Sequence, residues 1–199
     1  MWVQWQVMVR AMKTEAEWAA SRHIPATMEE YMSVGAPSFA LGPIVPLSAY
    51  LLGEELPEEA VRSPEYGQLL RHASAVGRLL NDVMTYEKEV LTWTPNSVLL
   101  QALAAARGGG ESPTPPSPAC AEAARGEVRR AIQASWRDLH RLVFRDDDGS
   151  SIVPRACREL FWGTAKVANV FYQEVDGYTP KAMRGMANAV ILDPLHLQQ

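Results

Sequence analysis

Apolar residues recur along the chain mostly three and four positions apart, and the breaks between these stretches are rich in proline or glycine. Residues 2–21 set Trp5, Val9, Met12, Ala16 and Ala19 at helical spacing with Lys13, Glu15 and Glu17 between them. That pattern predicts an amphipathic helix whose apolar face carries those five residues, and Pro25 stops it. Thr27, followed three residues later by Glu30, has the form of a capping box and starts a short helix ending near Gly35. The run SFALGPIVPLSAYLLGEEL is apolar all round, as a buried helix is, and Gly42-Pro43 is expected to break or kink it. Residues 54–64 read as a loop with one helical turn, and residues 65–91 give the longest helical pattern. A helix over 122–144 places Ile132, Trp136, Leu139 and Val143 on one face, and another over 155–172 follows Pro154. A last short helix is expected from Pro180. Residues 107–120, with three glycines and four prolines, cannot continue a helix and predict a loop, and RDDDGS predicts a turn. With no strand alternation and no internal repeat, the fold class is all-α, built from packed antiparallel helices.

Composition narrows the partners more than the fold. A chain of 199 residues with 47% hydrophobic and 21% charged residues is neither a disordered tail nor a fibre, and has the length of one domain with a sizeable core. The net charge of -4 argues against a nucleic-acid partner held by a broad basic face. It leaves anionic small ligands open, because these need only local positive charge. Cys120 and Cys157 do not make a disulfide framework and fit a reducing compartment. No uninterrupted stretch reaches the roughly 20 apolar residues of a membrane span. The longest apolar region, residues 38–52, contains Gly42, Pro43 and Pro46. The first residues lack the apolar core of a secretory signal and carry Glu15 and Glu17 where transit peptides avoid acids.

One segment carries chemistry: RLLNDVMTYEKE, residues 78–89. On a helical wheel with Asn81 at zero, Thr85 falls near 40°, Glu89 near 80°, Arg78 near 60° and Lys88 near -20°, at about 100° per residue. Leu79, Val83, Tyr86 and Val90 gather roughly 140° to 200° away. One face therefore bears an amide oxygen, a hydroxyl, a carboxylate and two cations. Such oxygens suit a hard cation like Mg²⁺, which takes about six oxygens and keeps waters or phosphate oxygens among them. Three protein oxygens make a half-site, and a diphosphate flanked by Arg78 and Lys88 supplies the remainder. A plain solvated helix face explains the same spacing, and the wheel does not choose between the two.

NDVMTYEKE resembles the second metal-binding motif of class I terpene synthases, (N/D)Dxx(S/T)xxxE. AEWAASRHIPATMEEYMSVGAPSFALGPIV and VRSPEYGQLLRHASAVGRLLND are similar to the stretch before that motif in plant diterpene synthases of the ent-kaurene synthase and kaurene-synthase-like group. SIVPRACRELFW and FYQEVDGYTP resemble the family's closing helices. The resemblance implies the α-helical terpenoid synthase fold. It also implies Mg²⁺-dependent ionisation of a prenyl diphosphate, Mn²⁺ being the alternative metal, with cyclisation of the resulting cation in an apolar pocket. The substrate it implies is a C20 diphosphate such as ent-copalyl diphosphate, and the product an ent-kaurene-like diterpene. By the same resemblance Asn81, Thr85 and Glu89 ligate one metal ion, Arg78 and Lys88 contact diphosphate, and Asp82 supports the motif. Gly42 and Pro43 form the kinked helix that lines the pocket, Ile44 tunes the product, and Asp176 and Tyr178, with Gly177 between them, lie at the pocket mouth. Plain core packing accounts equally for Ile44, and a turn before Pro180 for the Asp-Gly pair. Plastid localisation is implied as well.

The departures are as informative. The family's DDxxD motif has no counterpart here. Asp146, Asp147 and Asp148 lack an acid at 150 or 151, both serine, and lie in a turn-like context. The βγ domains of plant diterpene synthases and the DxDD motif of class II cyclases are also absent. Residues 1–199 are therefore expected to form part of a metal-binding α domain carrying one of two metal motifs, with a Gly/Pro-rich loop inserted at 107–120. An inactive or non-catalytic interaction protein that self-associates through an apolar surface left by missing helices is the alternative. A prenyl transferase is disfavoured because it needs two Asp-rich motifs.

Overall fold

The computed structural model describes residues 2–106, 116–145 and 151–172. Its helices are α1 (Trp2–Ser21), α2 (Met28–Ser38), α3 (Leu41–Leu51), the single turn α4 (Glu58–Val61), α5 (Pro64–Glu89), α6 (Ser97–Ala106), α7 (Pro118–Val143) and α8 (Arg155–Phe171). A 3₁₀ turn over Val90–Thr92 tightens the end of α5. The final helix expected from Pro180, the RDDDGS aspartates, and Asp176, Gly177 and Tyr178 lie outside the described residues.

Local chemistry sets the helix starts. Thr27 Oγ1 accepts from the Glu30 N–H at 3.1 Å, and Glu30 Oε2 accepts from the Ala26 N–H at 2.7 Å, so the capping box closes one residue further back than its simplest form. Ser63 caps α5 and Ser117 caps α7, each followed by proline at the first helical position, where a missing N–H costs nothing. The cap at Ser117 starts α7 four residues earlier than the apolar pattern alone indicates and takes residues 118–120 from the expected loop.

Helix α5 is the spine, touching α2, α3, α4, α6, α7 and α8. Its first half (Tyr66, Leu69, Ala73, Val76) packs with α3, α8 and the end of α7 (Leu139, Val143). Its second half (Leu79, Tyr86) packs with α6 and the start of α7 (Ala121, Ala124, Val128, Ile132). That crossed pairing makes α5 and α7 antiparallel. Trp136 belongs to both clusters and meets Trp162 of α8 edge to face at 4.8 Å between ring centroids.

Four expectations need correction. The break in the apolar run falls at Phe39 and Ala40, not at Gly42-Pro43, and α2 runs on through Pro37 to Ser38. Ala40 adopts the left-handed conformation (φ 70°) that separates α2 from α3, while Pro43 sits in the first turn of α3, where no N–H is needed. The run is also only partly buried: Leu41, Pro43, Val45 and Ala49 face inward, whereas Ile44, Leu47, Tyr50, Leu51 and Leu52 are exposed. On α1 the expected apolar face is open, with Trp5, Val9, Met12 and Ala16 exposed and Ala11 the buried residue. Finally, residues 97–106, left unassigned by the pattern, form α6. By length and mean hydropathy (1.3), Met28–Leu51 qualifies as a membrane-crossing segment, which a count of unbroken apolar residues passes over. In the fold it is two helices parted at Phe39 and Ala40.

Candidate metal and diphosphate site

The polar face of α5 divides into two turns with different environments. In the first, Asp82 is fully buried. Its Oδ2 accepts from the Tyr31 hydroxyl at 2.7 Å and from the Ser97 N–H, at the start of α6, at 3.0 Å. Its Oδ1 lies 3.0 Å from Arg78 Nε. Arg78 also donates to the Tyr31 hydroxyl at 2.8 Å and to Ser38 Oγ at 3.3 Å, and its Nη1 pairs with Glu15 Oε1 of α1 at 2.7 Å. Burial opposes the charge of Arg78, but Asp82, Tyr31 and Glu15 outweigh it and hold the guanidinium firmly protonated. Burial, reinforced by the Asp82 charge, pushes the Tyr31 phenol well above its usual range. Gly35 and Gly77 make room for this cluster. A Cβ on Gly35 would come within 3.4 Å of Arg78 Nε, and one on Gly77 within 2.0 Å of the Phe39 ring.

The second turn is less completely satisfied, although Thr85 is buried and Glu89 half-buried. Thr85 Oγ1 donates to the Asn81 carbonyl at 2.9 Å, which uses its hydrogen and leaves oxygen lone pairs. Glu89 Oε2 accepts from Asn96 Nδ2 at 2.9 Å. Burial raises the Glu89 carboxyl above its ordinary value, the Asn96 hydrogen bond opposing this and the Asp82 charge adding to it. The Asn81 side chain is half-buried and makes no hydrogen bond among the described residues, and Lys88 stands exposed. Of the two cations expected to flank the row, Arg78 is thus already neutralised by two carboxylates, and Lys88 points into solvent without an ion pair among the described residues.

A cleft of about 560 Å³ opens beside the first turn. Arg78 and Asn81 line it together with Glu15, Phe39, Leu41 and Ile44, and Val167 and Phe171 of α8, with Tyr172 just beyond it, line the far side. Thr85 and Glu89 lie further along α5, outside its lining. Gly42 and Pro43, grouped with Ile44 by sequence, line a separate cleft of about 250 Å³ with Gln4, Met32 and Leu70. The GPI segment therefore faces two ways. Pro46, which has no N–H, deprives the Gly42 carbonyl of its i+4 donor.

The row fits a hard cation by its donor chemistry. It offers amide, hydroxyl and carboxylate oxygens and no sulfur or imidazole. Helical side chains lean toward the N-terminus, so the longest, Glu89, reaches back toward Thr85 and Asn81. Among the described residues no group of three His, Cys, Asp or Glu side chains forms a cage of its own. A metal here depends on this mixed row and on oxygens from its ligand. Sequence reasoning missed the partners that other helices bring to the cluster, Glu15, Ser38 and Ser97 among them, and two stand out. Tyr31 and Asn96 are both wholly buried and both bonded to Asp82 or its backbone. Asn96 had a signal, since Asn-Ser before an apolar run is a helix start.

The model of terpene synthase family 2, C-terminal metal binding, matches residues 2–138. The chain belongs to the terpene synthase family. It is 76% identical over 203 residues to stemar-13-ene synthase of Oryza sativa subsp. japonica, covering 98% of this chain and 25% of that protein. It is 41% identical over 195 residues to ent-kaur-16-ene synthase, chloroplastic, of the same plant, covering 98% of this chain and 24% of that protein. Among solved structures, abietadiene synthase from Abies grandis superposes with a TM-score of 0.71 at 24% identity, over 94% of this chain and 23% of that one. This last likeness establishes the terpenoid synthase α-helical fold. The chain spans about a quarter of the length of the curated relatives it matches.

Proposed function

We propose that this terpene synthase chain forms one wall of a diterpene synthase active site, as part of a metal-binding α domain over residues 1–199 with its Gly/Pro-rich loop, expected over 107–120, ending where α7 begins at Pro118. Asn81, Thr85 and Glu89 hold one Mg²⁺, or Mn²⁺, while Lys88 and Arg78 contact the substrate diphosphate. Asp82 does not reach the ligand. It anchors Arg78, Tyr31 and the start of α6. Bound there, a divalent cation offsets the charge that builds on a departing diphosphate. Ile44, Phe39 and Phe171 supply the apolar surface that keeps water from the hydrocarbon. Ile44 is the residue that tunes the product, and Gly42 and Pro43 act from behind it by fixing the course of α3. The reading extends to Asp176 and Tyr178 as pocket-mouth residues. The reaction of the whole protein is then ionisation and cyclisation of a C20 prenyl diphosphate, such as ent-copalyl diphosphate, to an ent-kaurene-like diterpene. The plastid is its compartment, as the names of several relatives suggest.

The observation that carries this reading is the meeting of Arg78 and Asn81 with an apolar wall at one cleft. The test incubates the purified chain with a C20 diphosphate and Mg²⁺. Gas chromatography is expected to find no hydrocarbon, because DDxxD is lacking, while calorimetry detects weak, Mg²⁺-dependent binding of inorganic diphosphate. Robust hydrocarbon formation would sink the view of a half-equipped site, and binding indifferent to Mg²⁺ would sink the metal assignment.

A second reading is favoured by the exposed apolar row Trp2, Val3, Trp5, Val9 and Met12 on α1. In it the chain is an interaction protein that associates with copies of itself. Sedimentation of a monomer across a hundredfold range of concentration rules it out.

A further inference from the structure

We infer that Asn96 is a positioning residue for the metal row. The inference rests on the proposal that Glu89 is a metal ligand. Asn96 is wholly buried, so it cannot itself touch a ligand. Its amide is fixed at three points. Nδ2 donates to the Asp82 carbonyl at 2.8 Å and to Glu89 Oε2 at 2.9 Å, and Oδ1 accepts from the Val98 N–H at 2.8 Å. The two oxygens on one side and the N–H on the other settle which amide atom is nitrogen. Both Nδ2 hydrogens and the oxygen are engaged, so the side chain has a single orientation.

The consequence for Glu89 is directional. A glutamate at the end of a helix has three rotatable bonds and would otherwise sample solvent. Holding Oε2 selects one placement of the carboxylate and leaves Oε1 for a cation. The same amide ties the Asp82 backbone, one turn before Thr85, to the start of α6. The Ser97 N–H binds the Asp82 side chain in parallel. α6 thus acts as a splint along the turn that bears the row. An outer partner of a metal-ligating group typically changes metal affinity by about 10–100-fold when removed.

The experiment measures Mn²⁺ affinity by electron paramagnetic resonance in the presence of inorganic diphosphate, on the full 199-residue chain. N96S keeps an oxygen to cap α6 but loses the amide donor. It is expected to bind Mn²⁺ about tenfold more weakly. I132V, a core change with a modest cost to stability, is expected to leave affinity unchanged, so a loss shared by both variants would mean that Asn96 is merely structural and would overturn the inference. E89Q separates the two layers of argument. If E89Q weakens Mn²⁺ binding and N96S does not, positioning by Asn96 is wrong. If E89Q has no effect, or the wild-type chain takes up no Mn²⁺, the metal reading fails first. Should N96S not fold, the wild-type chain suffices. Bound Mn²⁺ is expected to broaden the Asn96 side-chain amide resonances, and their persistence at saturating Mn²⁺ would overturn the inference.

Discussion

The turn of α5 from Arg78 to Asp82 and the turn from Thr85 to Glu89 carry similar residues in opposite states. In the first, each charge is answered within the fold: Asp82 by Tyr31, Ser97 and Arg78, and Arg78 by Asp82 and Glu15. In the second, lone pairs remain on Thr85 and Glu89, beside the Asn81 side chain of the first, unpartnered among the described residues. Two carboxylates seven residues apart on one helix thus do different work. A buried acid with three partners builds the protein, and a half-buried acid held by Asn96 and Thr85 is the one proposed to take a cation. The wheel, which ranks residues only by angle, places Asp82 about 100° from Asn81 and cannot distinguish these roles.

Asp82→Ala gives the sharpest separation. It strands the Arg78 guanidinium, the Tyr31 hydroxyl and the Ser97 N–H, and breaking a buried pair on one side costs about 3–5 kcal/mol. Urea denaturation should show most of that loss, and a change below about 1 kcal/mol would erase the contrast between the turns. Gly77→Ala comes next. The new methyl collides with the Phe39 ring, and overpacking of this kind costs roughly 1–3 kcal/mol. Its thermal midpoint is expected to fall while Mg²⁺-dependent diphosphate binding persists in the folded fraction.

Glu89→Ala should behave the other way round, with little loss in a denaturation curve but a clear loss of Mg²⁺-dependent diphosphate binding. Glu87→Ala, whose side chain turns to Arg125 of α7, is the control. Equal losses in a calorimetric titration would refute the assignment of the ligand face. The smallest effect belongs to Glu15→Gln. The Glu15–Arg78 pair is mostly buried, but glutamine keeps an oxygen that accepts from the guanidinium, so the loss is expected to stay at about 1 kcal/mol. Because Arg78 then faces the cleft with one carboxylate fewer, diphosphate should bind a few-fold more tightly. A weaker complex would mean that Glu15 orients Arg78 rather than competing for it.

Much of this was legible in the sequence. Helix α5 declared itself through its period and its apolar back, while its Ser63 cap and Pro64 start emerge only in the structure. The capping box at Thr27 is a local chemical fact that survives folding. What stayed hidden were relations between distant segments. Glu15 lies on α1 and Tyr31 on α2, and no single-helix wheel places either beside Arg78. The open face of α1 was misjudged for the same reason: periodicity gives a stripe but not the surface that covers it. The break at Ala40 was misplaced because Gly42-Pro43 is a stronger textual signal, yet proline is harmless in the first turn of a helix. Lys88 and Arg78 looked alike as charges and differ entirely as neighbours.

The joint at Ala40 has a bearing on how such a sequence can drift. An alanine in the left-handed region carries a cost of roughly 1 kcal/mol that glycine avoids, and a β-branched residue would suffer more. On backbone grounds alone glycine is expected to be accepted there and valine or isoleucine to be costly. Phe39 and Ile44, which flank the joint on the cleft side, are free to vary in size only while that backbone kink is kept. The shape of the pocket wall is thus tethered to a residue with almost no side chain.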